Sequence, residues 1–569
     1  EDFSEEQKMI RDTVIEFIDR EIWPHKKRFE ENDYDFTVES MKKIGELGLL
    51  GINVDQDYGG LGMDFVSTML VCDYISGSSG SLATAYGAHT GIAILPIFLY
   101  GNEEQKKKYL PKLTSGEWFG SYCLTEPTAG SDANSGKTKA ELSDDGTHYL
   151  ISGHKIWISN AGFANLFIVF ARIEDDKNIT GFIVPNDPNN GIKLSEEEKK
   201  LGIRSSSTRQ VFFEKTKVSV ENLLGERNGG FKIAMNALNV GRIKLGAGNL
   251  DGQRRVISGA IDYANNRFQF KQPISNFDSI KEKIAMMAAS CYAGESSCYR
   301  AGSDVQSKID EYLSNGLSKQ ESELKGVENF AIECSILKVA VSEDMQNCAD
   351  EGIQIFGGMG FSAEIPMESA WRDARISRIY EGTNEINRML MVGMLLKKAQ
   401  KGELDLMSAL QNTMNDNNEN KVETIDELKH EMNIVNNLKK VFLIILGKAF
   451  EKYGAEIEKN QQVLLALSDI MIETYFSEST LKRTIKNINR SNVNDQYYQI
   501  EMAKLYIYEA SQITLKKSKD IIISIYDTQL QKELLAKIKE LVSYEENPNI
   551  FNLKKSIADK IISENKYCF

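Results

Sequence analysis

The stretch NLFIVFARI, residues 165–173, crowds Leu, Ile, Val and Phe around a single charge. β-Branched and aromatic residues of this kind fit a pleated, half-buried surface. The same composition returns in TGFIVP (180–185) and RQVFFEKTKVSV (209–220), with turn signals at Asp145-Gly146 and from Pro188 to Gly191. From about Gly120 to Leu224 the hydrophobic period is therefore two, which predicts an antiparallel β-domain. Outward from it, on both sides, the period becomes helical. Ser4 and Gln7 form a capping box ahead of Ile10, Val14, Phe17 and Ile18. Further helices are expected over 38–49 and 65–76, separated by DQDYGGLG (55–62), whose paired glycines suit a turn. After Gly229 and Gly230 the helical pattern covers 231–268, 277–312, 319–350 and 383–399. The Asn-rich stretch 401–427 reads as a linker, and 428–569 is again helical, as in QLQKELLAKIKELV (529–542). The fold expected is mainly α with a central antiparallel β-domain: 1–119 helical, 120–229 β, 230–400 a helical bundle, 401–427 a linker, and 428–569 an additional all-α domain.

Composition limits the function classes. Among 569 residues, Lys+Arg 68 against Asp+Glu 82 leaves a net charge of −14, the wrong sign for nucleic acid or an anionic membrane as main partner. Within 411–427 a single Lys421 faces five acids, so that stretch gives no support to lipid docking either. Hydrophobic residues at 41% exclude disorder for most of the chain. No apolar run is expected to reach the roughly 20 residues that span a bilayer. The seven cysteines form no CxxC pair and read as reduced, buried thiols, and the five histidines have no metal-ligand spacing, so no metal site is expected. The chain opens on Glu1 rather than Met, and the nature of any leader is not legible from it.

Four strings carry candidate chemistry. YCLTEPTAGSD (122–132) joins a strand end to Thr125, Ser131 and backbone amides around Pro127 and Gly130; it reads either as a cradle for a phosphate or ring edge or as a hydrophilic strand connection. QIFGGMGF (354–361) lacks both GxGxxG and GxxxxGK[ST] and reads first as a helix C-cap and turn. Trp157 in HKIWISNA (154–161) sits on an alternating segment, where a lone Trp is usually core. Glu381 in RIYEGTNEINR (378–388) follows Ile379 and Tyr380 and precedes Gly382. Such a carboxylate is either a general base in apolar surroundings or an acidic residue favouring a helix dipole.

Together with YGGLG (58–62), TRQVFFEKTKV (208–218) and NRFQF (266–270), these strings resemble, in order and spacing, the acyl-CoA dehydrogenase family over about residues 1–400. That family has a helical N-domain, a barrel-like β middle domain and a helical C-domain around FAD. The helical module beyond residue 400 further resembles its very-long-chain branch. The resemblance implies that Tyr122, Cys123, Leu124 and Thr125 meet the flavin edge, that Ser131 lies between pyrophosphate and acyl-CoA, that Trp157 lies against the isoalloxazine, and that Ile158 and Ser159 border N5 and O4. It also implies that Arg267, Gln269 and Phe270, with Gln354 and Gly358, reach the cofactor of a neighbouring subunit, which requires an oligomer, taken as a dimer. Thr383, Asn384 and Glu385 fall on the adenosine and pyrophosphate side, Glu385 standing where some relatives carry Gln or Asp.

On the substrate side the resemblance implies Asn239, Arg242, Tyr380 and Gly382, with Glu381 as the base that takes the α-proton of an acyl-CoA while flavin N5 takes the β-hydride. The thioester oxygen would rest on the Glu381 amide and a flavin ribityl hydroxyl. Some relatives place the base at the position of Gly241 in NVGRI, and glycine accepts no proton. Fatty-acid β-oxidation, electron transfer to an electron-transferring flavoprotein, and a place in the bacterial cytoplasm or mitochondrial matrix follow from the same resemblance. A respiratory-complex assembly role on the same fold, or an oxygen-using acyl-CoA oxidase, are the alternatives. Ala93 and Pro96 in YGAHTGIAILPIFLYG (86–101) stand where very-long-chain relatives tend to have glycine, which implies a shallower acyl pocket.

Overall fold

The computed structural model describes residues 2–414 and 425–569. They form two compact units. One gathers Glu1–Gly252, Ala301–Ala331 and Glu368–Gly382; the other gathers Gln253–Arg300, Ile332–Met367 and Thr383–Phe569.

In the first unit, the helix Glu5–Phe17 is closed at its start by the Ser4–Gln7 capping box. Its apolar face, Ile10, Val14 and Phe17, joins Phe36, Met41, Ile44, Val71, Ile75 and Tyr86 in one buried cluster. The helix Phe65–Ser76 is capped by Asp64, whose carboxylate accepts from the Ser67 amide at 2.7 Å. Between these helices the DQDYGGLG turn uses Gly59 and Gly62 at φ +80° and +67°, and a Cβ on Gly60 would overlap the Val54 carbonyl at 2.0 Å.

One expectation fails here. Gly80–Tyr100 is a continuous helical run of 21 residues, long and apolar enough to cross a bilayer. The run carries no Asp, Glu, Lys or Arg, because most of it is buried inside the protein, where a charge would have to be desolvated.

The sheet belongs to the same unit. Its strands are β1 (Gly120–Cys123), β2 (Lys139–Leu142), β3 (His148–Ser159), β4 (Leu166–Ile173), β5 (Thr180–Pro185), β6 (Ile192–Leu194), β7 (Thr208–Ser219) and β8 (Leu223–Leu224). They follow the order β6-β7-β3-β2-β4-β5-β8, with β1 also on β4. Five of the pairings are antiparallel, as expected. β1 and β2 both run parallel to β4, so the sheet is mixed. The reason is local. β1 enters from the helical layer rather than through a hairpin, and β1 and β2 follow one another along the same edge of β4, pairing Gly120–Cys123 with 166–169 and Lys139–Ala140 with 172–173. β4 and β5 are buried almost throughout, which explains their continuous apolar runs.

In the second unit, Leu250–Asn266, the greater part of Asp278–Ser314, Ala331–Phe356 and Asn384–Gln400 are helical. The C-terminal helices Lys429–Tyr453, Gln461–Arg490, Tyr497–Ile525, Thr528–Leu541 and Ile550–Glu564 follow. Leu438, Ile445, Leu467, Ile507 and Ile522 lie in the core of this part. Within the stretch read as a linker, Leu406–Met414 is a helix whose Leu406 joins that core, and residues 415–424 lie outside the described residues.

Candidate active site

The loop that leaves β1 is built on a buried ion pair. Lys155 of β3 and Glu126 are 1% and 5% exposed and meet at 2.7 Å. Where β1 ends and β2 has not begun, the β4 edge lacks a strand partner, and the Lys155 ammonium fills the gap by donating to the carbonyls of Phe170 (2.8 Å) and Leu124 (3.2 Å). Glu126 accepts from the amides of Lys137 (2.6 Å) and Thr138 (3.1 Å), and its backbone closes a bridge with Ala129. Burial pushes the Glu126 carboxyl up, but Lys155 and these hydrogen bonds outweigh it and hold the group below its ordinary range. The charges of the pair are thus satisfied under the loop, and Pro127, Thr128, Gly130 and Ser131 are presented to the outside on a fixed floor. Sequence reading missed this pair, because a lysine and a glutamate near strand ends resemble surface residues.

Trp157 departs from the core reading. Between Lys155 and Ile158 the β3–β7 register shifts, Lys155 facing Val211 and Ile158 facing Arg209. One extra residue therefore bulges. Trp157 takes φ +59° and is 58% exposed. The bulge is tied to the β1 loop by the Ile156 amide, which donates to the Thr125 carbonyl at 3.0 Å. Trp157 thus presents an open aromatic face next to the point where the strand is tied to Thr125; Thr125 and Ser159 are half-buried and Ser131 is exposed, and an exposed aromatic face of this kind suits a planar ring. Cys123, Leu124 and Ile158 turn their side chains into the interior, leaving only backbone to face a ligand.

A carboxylate stands at the end of a third element. Glu381 takes φ +58° and is followed by Gly382 at +80°. A non-glycine residue in the left-handed region costs on the order of 1–3 kcal/mol and persists only where its surroundings hold it. The hold comes from Arg242 of the helix Gly230–Gly248: its Nε donates to the Glu381 carbonyl at 3.2 Å while Nη1 donates to Asn239 Oδ1 at 2.9 Å. The glutamate side chain lies over Gly241 of the same helix, where a Cβ would stand 2.8 Å from Oε2. Tyr122 and Tyr380 border it: burial first and the Glu381 charge second raise the Tyr122 hydroxyl well above its usual value. Burial likewise pushes Tyr380 up to about 12. Tyr122, Asn239, Arg242, Tyr380, Glu381 and Gly382, distant in sequence, are thereby brought together.

The remaining candidates lie in the second unit. Arg267 to Phe270 open a tight hairpin, Phe268–Gln269 pairing with Gln272–Pro273, and Phe270 is 88% exposed. Gln354 and Gly358 are exposed around the turn after Phe356. Thr383 caps the helix Asn384–Gln400 by accepting from the Ile386 amide at 3.2 Å. The Asn384 amide is engaged internally by Lys338 (2.7 Å), Ser342 (3.1 Å) and Glu343 (3.0 Å), whereas Glu385 is exposed.

Known proteins match this chain over its length. Residues 4–117, 121–216 and 228–396 match the N-terminal, middle and C-terminal domains of acyl-CoA dehydrogenase, and 437–540 match a further acyl-CoA dehydrogenase C-terminal domain. A probable acyl-CoA dehydrogenase of Bacillus subtilis (strain 168) is 40% identical over 574 residues, covering 100% of this chain and 95% of that protein. The mitochondrial very long-chain specific acyl-CoA dehydrogenase of Bos taurus is 37% identical over 399 residues, 67% of this chain and 58% of that one. A crystal structure of an acyl-CoA dehydrogenase from Bacillus anthracis complexed with FAD superposes with a TM-score of 0.95 at 41% identity, over 100% of this chain and 96% of that one. With its sheet, its helices and its additional C-terminal region all matched, the chain belongs to the acyl-CoA dehydrogenase family.

Proposed function

We propose that the protein is an FAD-dependent dehydrogenase that converts a saturated fatty acyl-CoA to its trans-2-enoyl-CoA, with Glu381 as the base. The observation that carries this reading is the Glu381 carboxylate held over Gly241 by a left-handed turn that Arg242 clamps. The carboxylate takes the α-proton. The Glu381 amide donates to the thioester oxygen as charge develops there, which lowers the cost of the enolate-like transition state. Burial of Tyr122, Asn239 and Arg242, with Tyr380 half-buried beside them, excludes water from that proton transfer. FAD, when bound, supplies acceptance of the β-hydrogen as hydride. Trp157, Thr125, Ser131 and Ser159 are the chain's own groups for one edge of that cofactor, the exposed face of Trp157 and the tie of its bulge to Thr125 being the support for the fit.

An electron-transferring flavoprotein is the electron acceptor that family membership supports. The exposed Phe268 and Phe270 of the Arg267 hairpin support an oligomer, simplest as a dimer in which this hairpin reaches the second subunit's cofactor. The test is anaerobic bleaching of the bound flavin by acyl-CoAs of four to twenty carbons, repeated with Glu381→Gln. Loss of a general base costs about 10²- to 10⁴-fold, and flavin content should be unchanged. Reduction of the Gln variant at the wild-type rate would assign the base elsewhere.

A further inference from the structure

The helix Leu250–Asn266 runs directly into the Arg267 hairpin. The Arg267 amide still donates to the Tyr263 carbonyl at 2.9 Å, and the Arg267 carbonyl accepts from the Ile274 amide at 2.8 Å. The hairpin therefore continues the last helical turn, and the helix sets its aim. The same helix supports the turn that holds Gln354 and Gly358, because Tyr263 stacks on Phe356 with ring centroids 4.2 Å apart. One polar stripe of this helix is bound to the segment that follows the helix Ile550–Glu564. Arg254, Ser258, Asp262 and Asn265 are spaced four, four and three residues apart, which puts them on one face. Asn565, at φ +54°, donates from its side-chain amide to Asp262 Oδ1 at 2.9 Å and accepts from Asn265 Nδ2 at 2.8 Å. The Tyr567 amide donates to Ser258 Oγ at 3.1 Å. Its buried hydroxyl donates at 3.2 Å to Glu295, a buried carboxylate that also accepts from Arg254 (2.9 Å) and Arg483 (3.0 Å). Another face of the helix, with Ile257, Ala260, Ile261 and Ala264, is buried in apolar packing. Apolar packing is non-directional, whereas hydrogen bonds weaken steeply off line, so the polar stripe is what fixes the rotation and height of the helix.

We propose that Asn565–Tyr567 is a strap that aims the Arg267 hairpin and the Gln354 turn, so that the additional C-terminal region governs how tightly FAD is held. Asn565 and Tyr567 are positioning residues that act through the helix Leu250–Asn266. The inference rests on the reading above in which the hairpin reaches a second subunit's cofactor, and it gives the C-terminal region a part in that contact. Groups held in place before binding lose less freedom when the cofactor arrives, which is how a distant strap can change FAD affinity.

The experiment measures FAD release from the full-length holoenzyme by flavin fluorescence, well below the melting temperature. Asn565→Gly keeps the left-handed turn, which glycine adopts freely, and removes the side-chain amide. Because Asn565 is exposed, this variant folds. Tyr567→Phe keeps the ring and removes the hydroxyl. The two together should speed FAD release about 3- to 30-fold, a range set by the modest net contribution of ordinary hydrogen bonds. Lys560→Ala breaks an exposed pair with Glu564 on the adjoining helix and should leave release unchanged. Arg267→Ala with Gln354→Ala should itself speed release, and in that background the strap changes should add less than about twofold, because coupled changes are not additive. Unchanged release in the strap variants overturns the proposal. An equal acceleration in both backgrounds, or one matched by Lys560→Ala, also overturns it and assigns the effect to general stability. If removal of Arg267 and Gln354 leaves FAD release unchanged, the shared-cofactor reading fails first and takes this inference with it.

Discussion

The Glu381 carboxylate and the bare backbone of Gly241 occupy adjoining space: a Cβ on Gly241 would stand 2.8 Å from Oε2 and 3.0 Å from Cδ. Glycine within a helix costs roughly 0.5–1 kcal/mol relative to alanine, so Gly230–Gly248 forgoes that stability at the one position where a side chain would displace the carboxylate. Gly241→Ala should separate fold from function. Thermal stability should change little, because the propensity gain offsets the crowding of a flexible side chain, while flavin reduction by acyl-CoA should fall at least about tenfold, since misplacing a reacting group by about 1 Å can cost about 100-fold. A normal rate with the alanine present would mean that Glu381 does not react from this position.

Arg242 is the clamp on that turn. Arg242→Ala removes the donor to the Glu381 carbonyl and the partner of Asn239, so the left-handed backbone at Glu381 loses its restraint. Hydrogen bonds to charged groups contribute about 1.5–3 kcal/mol. A stability loss in that range, with a larger fall in kcat/KM than in FAD affinity, is expected from unfolding curves and stopped-flow reduction measured side by side.

The Lys155–Glu126 pair supports the loop structurally. Lys155→Met strands a buried carboxylate and should cost about 3–5 kcal/mol, whereas Lys155→Met with Glu126→Gln should recover a large part of it. Urea unfolding of the two variants makes the comparison. Equal destabilisation of both would show that the Phe170 and Leu124 carbonyls, rather than the ion pair, are what Lys155 is needed for.

Glu473 predicts a pH dependence in the second unit. Burial first, and then the negative charge of Asp469, push its carboxyl up to about 7, against hydrogen bonding from Tyr506 and the pull of Arg388; Glu343 adds further negative charge. A carboxyl raised in the folded state binds its proton more tightly than in the unfolded chain, so its contribution is largest at low pH and declines as pH rises from about 4.5 through 7. Glu473→Gln should flatten that decline and raise stability at pH 8 by on the order of 1–3 kcal/mol. Melting temperatures from pH 5 to 8 provide the check, and a parallel decline in the variant would assign the titration to another group.

Local rules settled much of this protein. The Ser4–Gln7 capping box, the helix over 65–76 and the strands of 165–185 and 208–219 are dictated by short-range spacing and turn chemistry, and they form where the sequence places them. Motif order carried the family, because YCLTEPTAGSD, HKIWISNA and IYEGT each require particular residues at fixed offsets. Contacts between distant residues were not legible in this way. Only the tertiary structure decides that Trp157 leaves the core, since the bulge depends on pairing with β7 and on Thr125. The parallel entry of β1 and β2, the burial of Lys155 in the gap between them, the concealment of an apolar run from 80 to 100, and the space above Gly241 have the same origin. Periodicity reports which face of one element is apolar. It does not report which residue of another element completes a hydrogen bond, fills a missing rung or yields room for a carboxylate, because those are set by packing between separate elements, as between Arg242 and Glu381.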